Sequence, residues 1–272
     1  MNIAVIGTGI AGMSAAWLLQ KGHRITVYEA QNRIGGHSHT VDVPGSDSPT
    51  PVDTGFIVYN ERNYPNLTAL FSHLGVPTKD SEMSFSASLE GGGLEYSGTD
   101  LNGLVGQRRN IVRPRFWRML RDLKRFYRDA PAFLGAEHRD EPSLAEYLAR
   151  ERYGRDFIED HLLPMAAAIW SATSTEMKEY PASAFIRFFV SHGLLTLTDR
   201  PQWRTVDGGS REYVKRLVAP YADRIRLDGV RAIRRDAGGV TIEDCRGQSS
   251  RYDHAVIATH ADEAFRLLAD PD

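Results

Sequence analysis

Six residues near the amino terminus, Gly7-Thr8-Gly9-Ile10-Ala11-Gly12, restrict this chain more than any others. They follow an apolar run, Ile3 to Ile6, of the kind a buried parallel strand shows. Ala15, Ala16, Trp17, Leu18 and Leu19 then continue at helical spacing. A second apolar run, Ile25 to Tyr28, closes on an acid, Glu29. Strand, glycine turn, helix, strand and acid, in that order, make the dinucleotide-binding fingerprint.

Each position in the fingerprint has a physical task. Gly7 permits the tight turn, Gly9 lets backbone approach a diphosphate, and Gly12 lets helix and strand pack closely. Ile10 and Ala11 belong to the helix start, whose free N–H groups and positive dipole end favour phosphates. Glu29 stands 17 residues after Gly12, near the usual spacing of about 20. Its carboxylate can accept both hydroxyls of an adenosine ribose and would repel a 2′-phosphate, which disfavours NADP.

The residues after Glu29 separate the dinucleotides. An NAD-type fold runs from its second strand into another crossover helix. Here Ala30, Arg33, Ile34, Gly35, Gly36, His37 and Thr40 follow with no helical period. A second glycine pair just past the acid suggests backbone folded back against the cofactor. At these residues the chain resembles the flavin-containing amine oxidase superfamily, which includes protoporphyrinogen oxidases and phytoene desaturases. Its pattern of acid, a few residues, Arg, one residue, Gly-Gly is matched by Glu29, Arg33, Gly35 and Gly36. The resemblance implies FAD, with Ala30, Arg33 and the Gly35–Gly36 segment beside it. Many members carry Arg after the glycine pair, whereas this chain has His37, a switchable donor in place of a fixed cation. The resemblance also places Thr54, Gly55 and Phe56, after Asp53, near the flavin ring. It sets the backbone of Val230 against the adenine. Thr259 closes the strand Ala255 to Thr259, at the carboxyl end where ligands bind in open α/β sheets.

The expected fold class is α/β: a Rossmann-like FAD-binding domain with a central parallel sheet, plus an inserted, mainly helical substrate domain. Residues 1–78 and 203–272 form the first, discontinuous and C-terminally incomplete; residues 79–202 form the second. Within the first, residues 63–74 read as a helix stopped by Gly75, and Ser210 is the expected N-cap of another helix. Strands are expected at Ile225–Leu227, Val230–Arg234 and Val240–Asp244, and a last helix from about 261. Within the second, Met83 to Ser97 reads as a hairpin turning at Gly91–Gly93. Helices are expected around 100–109, 114–134, 142–172 (broken near Gly154) and 181–195. In the resembled family the chain continues past this point to a Gly-Asp segment at the flavin's ribityl chain. No such segment lies between Ala261 and Asp272.

Bulk properties narrow the partners. A net charge of −2 argues against nucleic acid. The single cysteine, Cys245, fits a reducing, cytoplasmic setting and excludes an internal disulfide or a cysteine-rich metal site. Residues 1–20 carry no charge, yet the glycine spacing accounts for them and no basic stretch precedes them, so they do not read as a signal peptide. Arg108 to Arg128 holds nine Arg and Lys beside an apolar stripe of Phe116, Met119, Leu120, Leu123, Phe126 and Tyr127. It reads first as an amphipathic surface helix, and second as a peripheral membrane contact delivering a lipid-like substrate. Apolar stretches at 162–171 and 185–197 are core or the lining of a hydrophobic substrate pocket.

No catalytic residue can be assigned. GxSxG and HExxH are absent. His37 and His39 alternate on an extended segment and would face apart, so no metal site is expected. In flavin oxidases the flavin accepts the hydride, and the protein positions and tunes it. The expected activity is hydride transfer from a C–N or C–C bond of a small or hydrophobic substrate to FAD. The alternatives are a non-catalytic nucleotide-binding remnant and an NAD-linked dehydrogenase.

Overall fold

The computed structural model describes residues 1–45, 48–98, 101–135, 140–196 and 200–271. Ser46 and Asp47, Asp100 of an expected helix, Leu197 of an apolar stretch and the terminal Asp272 lie outside them. The chain divides into two compact units, Met1–Ser81 with Trp203–Asp272, and Glu82–Gln202.

The first unit opens with β1 (Asn2–Ile6), α1 (Ile10–Leu19) and β2 (Arg24–Tyr28). After a turn-rich stretch come β3 (Thr40–Val43), β4 (Thr50–Asp53), β5 (Tyr59–Asn60), α2 (Pro65–Leu74) and β6 (Thr78–Ser81). No helix lies between β2 and β3, the position where an NAD-type crossover would stand. Helix α2 ends where expected: Gly75 takes the left-handed conformation at φ +60 and closes the helix.

The second unit holds the hairpin β7 (Ser86–Leu89) and β8 (Leu94–Ser97), turning through 90–93. It continues with α3 (Leu101–Leu104), α4 (Pro114–Phe133), α5 (Leu144–Arg150), α6 (Arg155–Phe157), α7 (Leu163–Trp170), α8 (Ser174–Lys178) and α9 (Ala182–Ser191). The expected helix over 100–109 is a single α-helical turn followed by a 3-10 segment, Arg108–Val112. Gly103 and Gly106 interrupt it, and glycine disfavours a helix interior. The 142–172 stretch breaks more often than expected, with a π-helical segment at Ile158–Leu162 between α6 and α7. The stripe of α4 does face the core: Phe116, Met119 and Phe126 are fully buried. Several cations of α4 are ion-paired, Arg115 with Asp160 and Arg118 with Asp156. Among the described residues no helix is long and apolar enough to cross a membrane.

The chain then re-enters the first unit through β9 (Trp203–Val206), α10 (Arg211–Val218), β10 (Ile225–Arg226), β11 (Val230–Asp236), β12 (Gly239–Asp244), β13 (Ser249–Tyr252), β14 (His254–Ile257) and α11 (Ala261–Leu267). Strand β6 pairs with β9, which groups residues 79–81 with the first unit. The central sheet has the order β10-β2-β1-β14 and all its pairs are parallel. Beside it lies an antiparallel meander, β11-β12-β13. Because β1 is central, Ala4 and Val5 are fully buried, packed on opposite faces with Tyr28 and Ile233 on one side and Met13, Val27 and Leu217 on the other. This pattern explains why β1 reads as a continuous apolar run.

One expected cap is corrected. Ser210 already has helical angles, and its side chain caps nothing. Asp53 at the end of β4 takes that role, accepting from Ser210 N at 2.9 and 3.0 Å and from Ser210 Oγ at 2.8 Å. Thr40 Oγ1 accepts from Arg211 N at 3.0 Å. The free N–H groups of α10 are thus met from the β3–β4 ribbon.

Candidate functional site

The glycine turn after β1 is shaped by what surrounds it. Gly7 has φ +101, a conformation other residues rarely adopt. A Cβ on Gly12 would stand 1.9 Å from the Gly7 carbonyl oxygen, so α1 and β1 pack only because none is there. A Cβ on Gly9 would meet nothing within 4 Å, because Gly9 faces a cavity. Helix α1 starts at that point with no side-chain cap on Gly9 and no acid in its first turn. Its N–H groups and positive dipole end are therefore left for an anion.

The cavity encloses about 930 Å³, near the top of the usual ligand-pocket range of about 300–1,000 Å³. All its lining residues belong to the first unit. Gly7, Thr8, Gly9, Ile10 and Ala11 form one wall, and Glu29, Ala30, Gln31 and Val230 another. Arg33, Gly36, His37, Thr259 and His260 border it as well, while Phe56, Tyr64, Leu67 and Tyr213 give it an aromatic and apolar part.

Glu29 is only 8% exposed, and its carboxylate is held on both oxygens. Oε2 accepts from Thr8 N at 3.0 Å and from the Thr8 hydroxyl; Oε1 accepts from Gln31 N at 2.8 Å. The Gly35–Gly36 segment folds back over the glycine turn. Gly35 N donates to Thr8 O at 3.1 Å, and a Cβ on Gly36 would lie 3.0 Å from Gly9 Cα. Arg33 Nη1 donates to Gly36 O at 2.8 Å and so pins that segment.

The sequence-derived residues divide into those that line the cavity and those behind it. Gly12, Gly35, Thr54 and Gly55 are not part of the lining. Gly55 presses on the His37 carbonyl, and Thr54 bonds to His39, with Oγ1 and Nδ1 2.9 Å apart. Phe56 N donates to His37 O at 3.0 Å, which brings the ring of Phe56 to the cavity wall. His37 and His39 do not converge: His37 stacks on His260, ring centroids 5.6 Å apart and 17° from parallel. No metal-binding cluster occurs among the described residues. Sequence reasoning missed Thr8, Ser38, Tyr213 and His260. Only Thr8 carried a usable signal, since it sits inside the fingerprint.

The second unit has a smaller cleft of about 440 Å³ beside Glu90, Arg113, Arg115 and Arg118. Its arginines are committed to Gly93 O, Asp160 and Asp156.

The family model for flavin containing amine oxidoreductases matches residues 10–271, and the chain belongs to that family. FAD is the family's cofactor. A Mycobacterium tuberculosis chain named for a flavin-containing monoamine oxidase, AofH, is 28% identical over 265 residues, covering 92% of this chain and 55% of its own length. Among solved structures, cyclohexylamine oxidase from Brevibacterium oxydans has a TM-score of 0.68 at 22% identity, over 98% of this chain and 59% of its own. Putrescine oxidase bound to putrescine has a TM-score of 0.67 at 20% identity, over 95% and 58%. These structures share the fold. The chain spans a little over half the length of the proteins it matches.

Proposed function

We propose that this chain binds FAD in the first unit and forms part of an amine oxidase-like oxidoreductase. The observation that carries this reading is the open space over Gly9, at an uncapped helix start, with the buried carboxylate of Glu29 on the same cavity. Such a cradle fits a diphosphate followed by a ribose. Gly7, Gly9, Ile10 and Ala11 would hold the diphosphate, Glu29 and Ala30 the ribose, and Val230 the adenine side. Arg33, Gly35 and Gly36 would hold the fold-back segment in place. Phe56, with Gly55 packed on the His37 carbonyl and Thr54 tied to His39, would border the flavin end. When bound, FAD supplies the hydride acceptor; the chain's own residues bind, orient and shield it.

The second unit is proposed as the substrate domain, taking a small and partly hydrophobic molecule such as an amine. Helix α4 is read as an amphipathic helix whose cationic side faces water. The turns that follow Glu29 favour FAD over an NAD-linked dehydrogenase. The test is purification. A yellow protein with releasable FAD, bleached anaerobically by a primary amine, is expected. Colourless, folded protein that ignores added FAD overturns the reading.

A further inference from the structure

Two backbone segments closely approach the glycine turn. One is Gly36, whose Cβ position lies 3.0 Å from Gly9 Cα; the other is Ala258, whose carbonyl oxygen lies 2.7 Å from the Cβ position of Gly7. Each segment is followed within two residues by a histidine, His37 and His260. Their rings meet as a near-parallel stack at 5.6 Å, and both border the cavity. Neither histidine belongs to the fingerprint.

We infer that His37 and His260 form a two-histidine clamp on the diphosphate, and that diphosphate binding by this chain is coupled to proton uptake. The inference rests on the cofactor assignment above. Histidine ordinarily changes charge between pH 5 and 8. An anion set against an imidazole favours its charged form. The diphosphate diester of FAD keeps its charge across this range, so the proton must come to the protein. The other charged groups at this place are Glu29 and Arg33 after β2, and Glu263 and Arg266 on α11. Glu263 accepts from His260 N at 3.3 Å, Arg266 pairs with Asp262, and Arg33 bonds Gly36 O. His39 is turned to Thr54.

The experiment is calorimetric titration of the apoprotein with FAD, and with ADP-ribose as a flavin-free probe, at pH 6, 7 and 8. Buffers of different ionisation enthalpy count the protons taken up. Wild type is expected to bind several-fold more tightly at pH 6 than at pH 8, with net proton uptake at pH 7. The double variant His37→Asn, His260→Asn keeps hydrogen-bonding side chains and is expected to bind with a flat pH profile. His37→Arg is expected to bind tightly at pH 8 and gain little on acidification. Circular dichroism checks that each variant folds. Binding by wild type without pH dependence overturns the clamp and leaves the cofactor assignment standing. A slope that persists in the double variant also overturns it. Absence of binding at every pH overturns the assignment and the clamp together.

Discussion

Thr8 grips Glu29 twice, through its backbone N–H at 3.0 Å and through its hydroxyl, which also receives Gly35 N–H at 3.2 Å. With Gln31 N on the other oxygen, three of the roughly four acceptor positions of a carboxylate are filled. Sequence reasoning gives Glu29 room for two ribose hydroxyls; this arrangement leaves room for one unless Thr8 lets go. Thr8→Val removes the buried hydroxyl at nearly constant shape. It is expected to cost about 1–2 kcal/mol of stability and to weaken FAD binding several-fold, with Thr8→Ser recovering most of both. Fluorescence titration with FAD and chemical denaturation measure the two effects.

Gly9→Ala and Gly12→Ala should fail in different ways. The new methyl at 9 enters the cavity and touches no protein atom within 4 Å. FAD content should collapse while the melting temperature of the apoprotein changes little. The methyl at 12 collides with Gly7 O at 1.9 Å. That variant should lose stability outright, by several degrees in thermal melts, before any cofactor is added.

Asp53→Ala removes the side chain that caps α10 across the sheet ribbon. A lost cap costs about 0.5–2 kcal/mol. The loss should appear in urea denaturation of the apoprotein, and Asp53→Asn should restore part of it by keeping one acceptor oxygen. An unchanged midpoint for Asp53→Ala would show that the contact is idle.

His161 of the second unit is buried against Phe85, Tyr96 and Phe157. Burial pulls its pKa down from 6.5 to about 4. Above pH 6.5 the folded and unfolded chains both hold it neutral, and the contribution to stability is whole. As pH falls from 6.5 toward 4 the unfolded chain takes up a proton that the folded one refuses, so stability drains away. The full loss is about 3 kcal/mol, at about 1.4 kcal/mol for each pH unit. Below about pH 4 this contribution levels off. His161→Phe should flatten that part of the stability profile, read by urea midpoints from pH 7 to 4.

The segments legible in the sequence were those whose neighbours are close in the chain. The run from β1 through α1 to β2, the 90–93 hairpin turn and the glycine end of α2 each carry their own local signal. Strand β13 does not: Ser249, Ser250 and Arg251 show no apolar alternation, and they are extended because β12 pairs with them. The cap on α10 was unreadable for a similar reason, since Asp53 stands 157 residues from Ser210. The lining of the cavity was half legible. Glycines announce close approach, whereas Tyr213 and His260 reach the cavity only through the packing of distant helices.

Helix α1 has a further consequence for the apoprotein. A helix that supplies no terminal partner for its first amides begins life incomplete, and the missing piece arrives with the guest. Occupancy and local order at the amino terminus then become one equilibrium: each tenfold excess of ligand over its dissociation constant deepens the native well by about 1.4 kcal/mol. Amide exchange in the first turn should therefore slow in step with saturation, making residues 10–12 a reporter of loading.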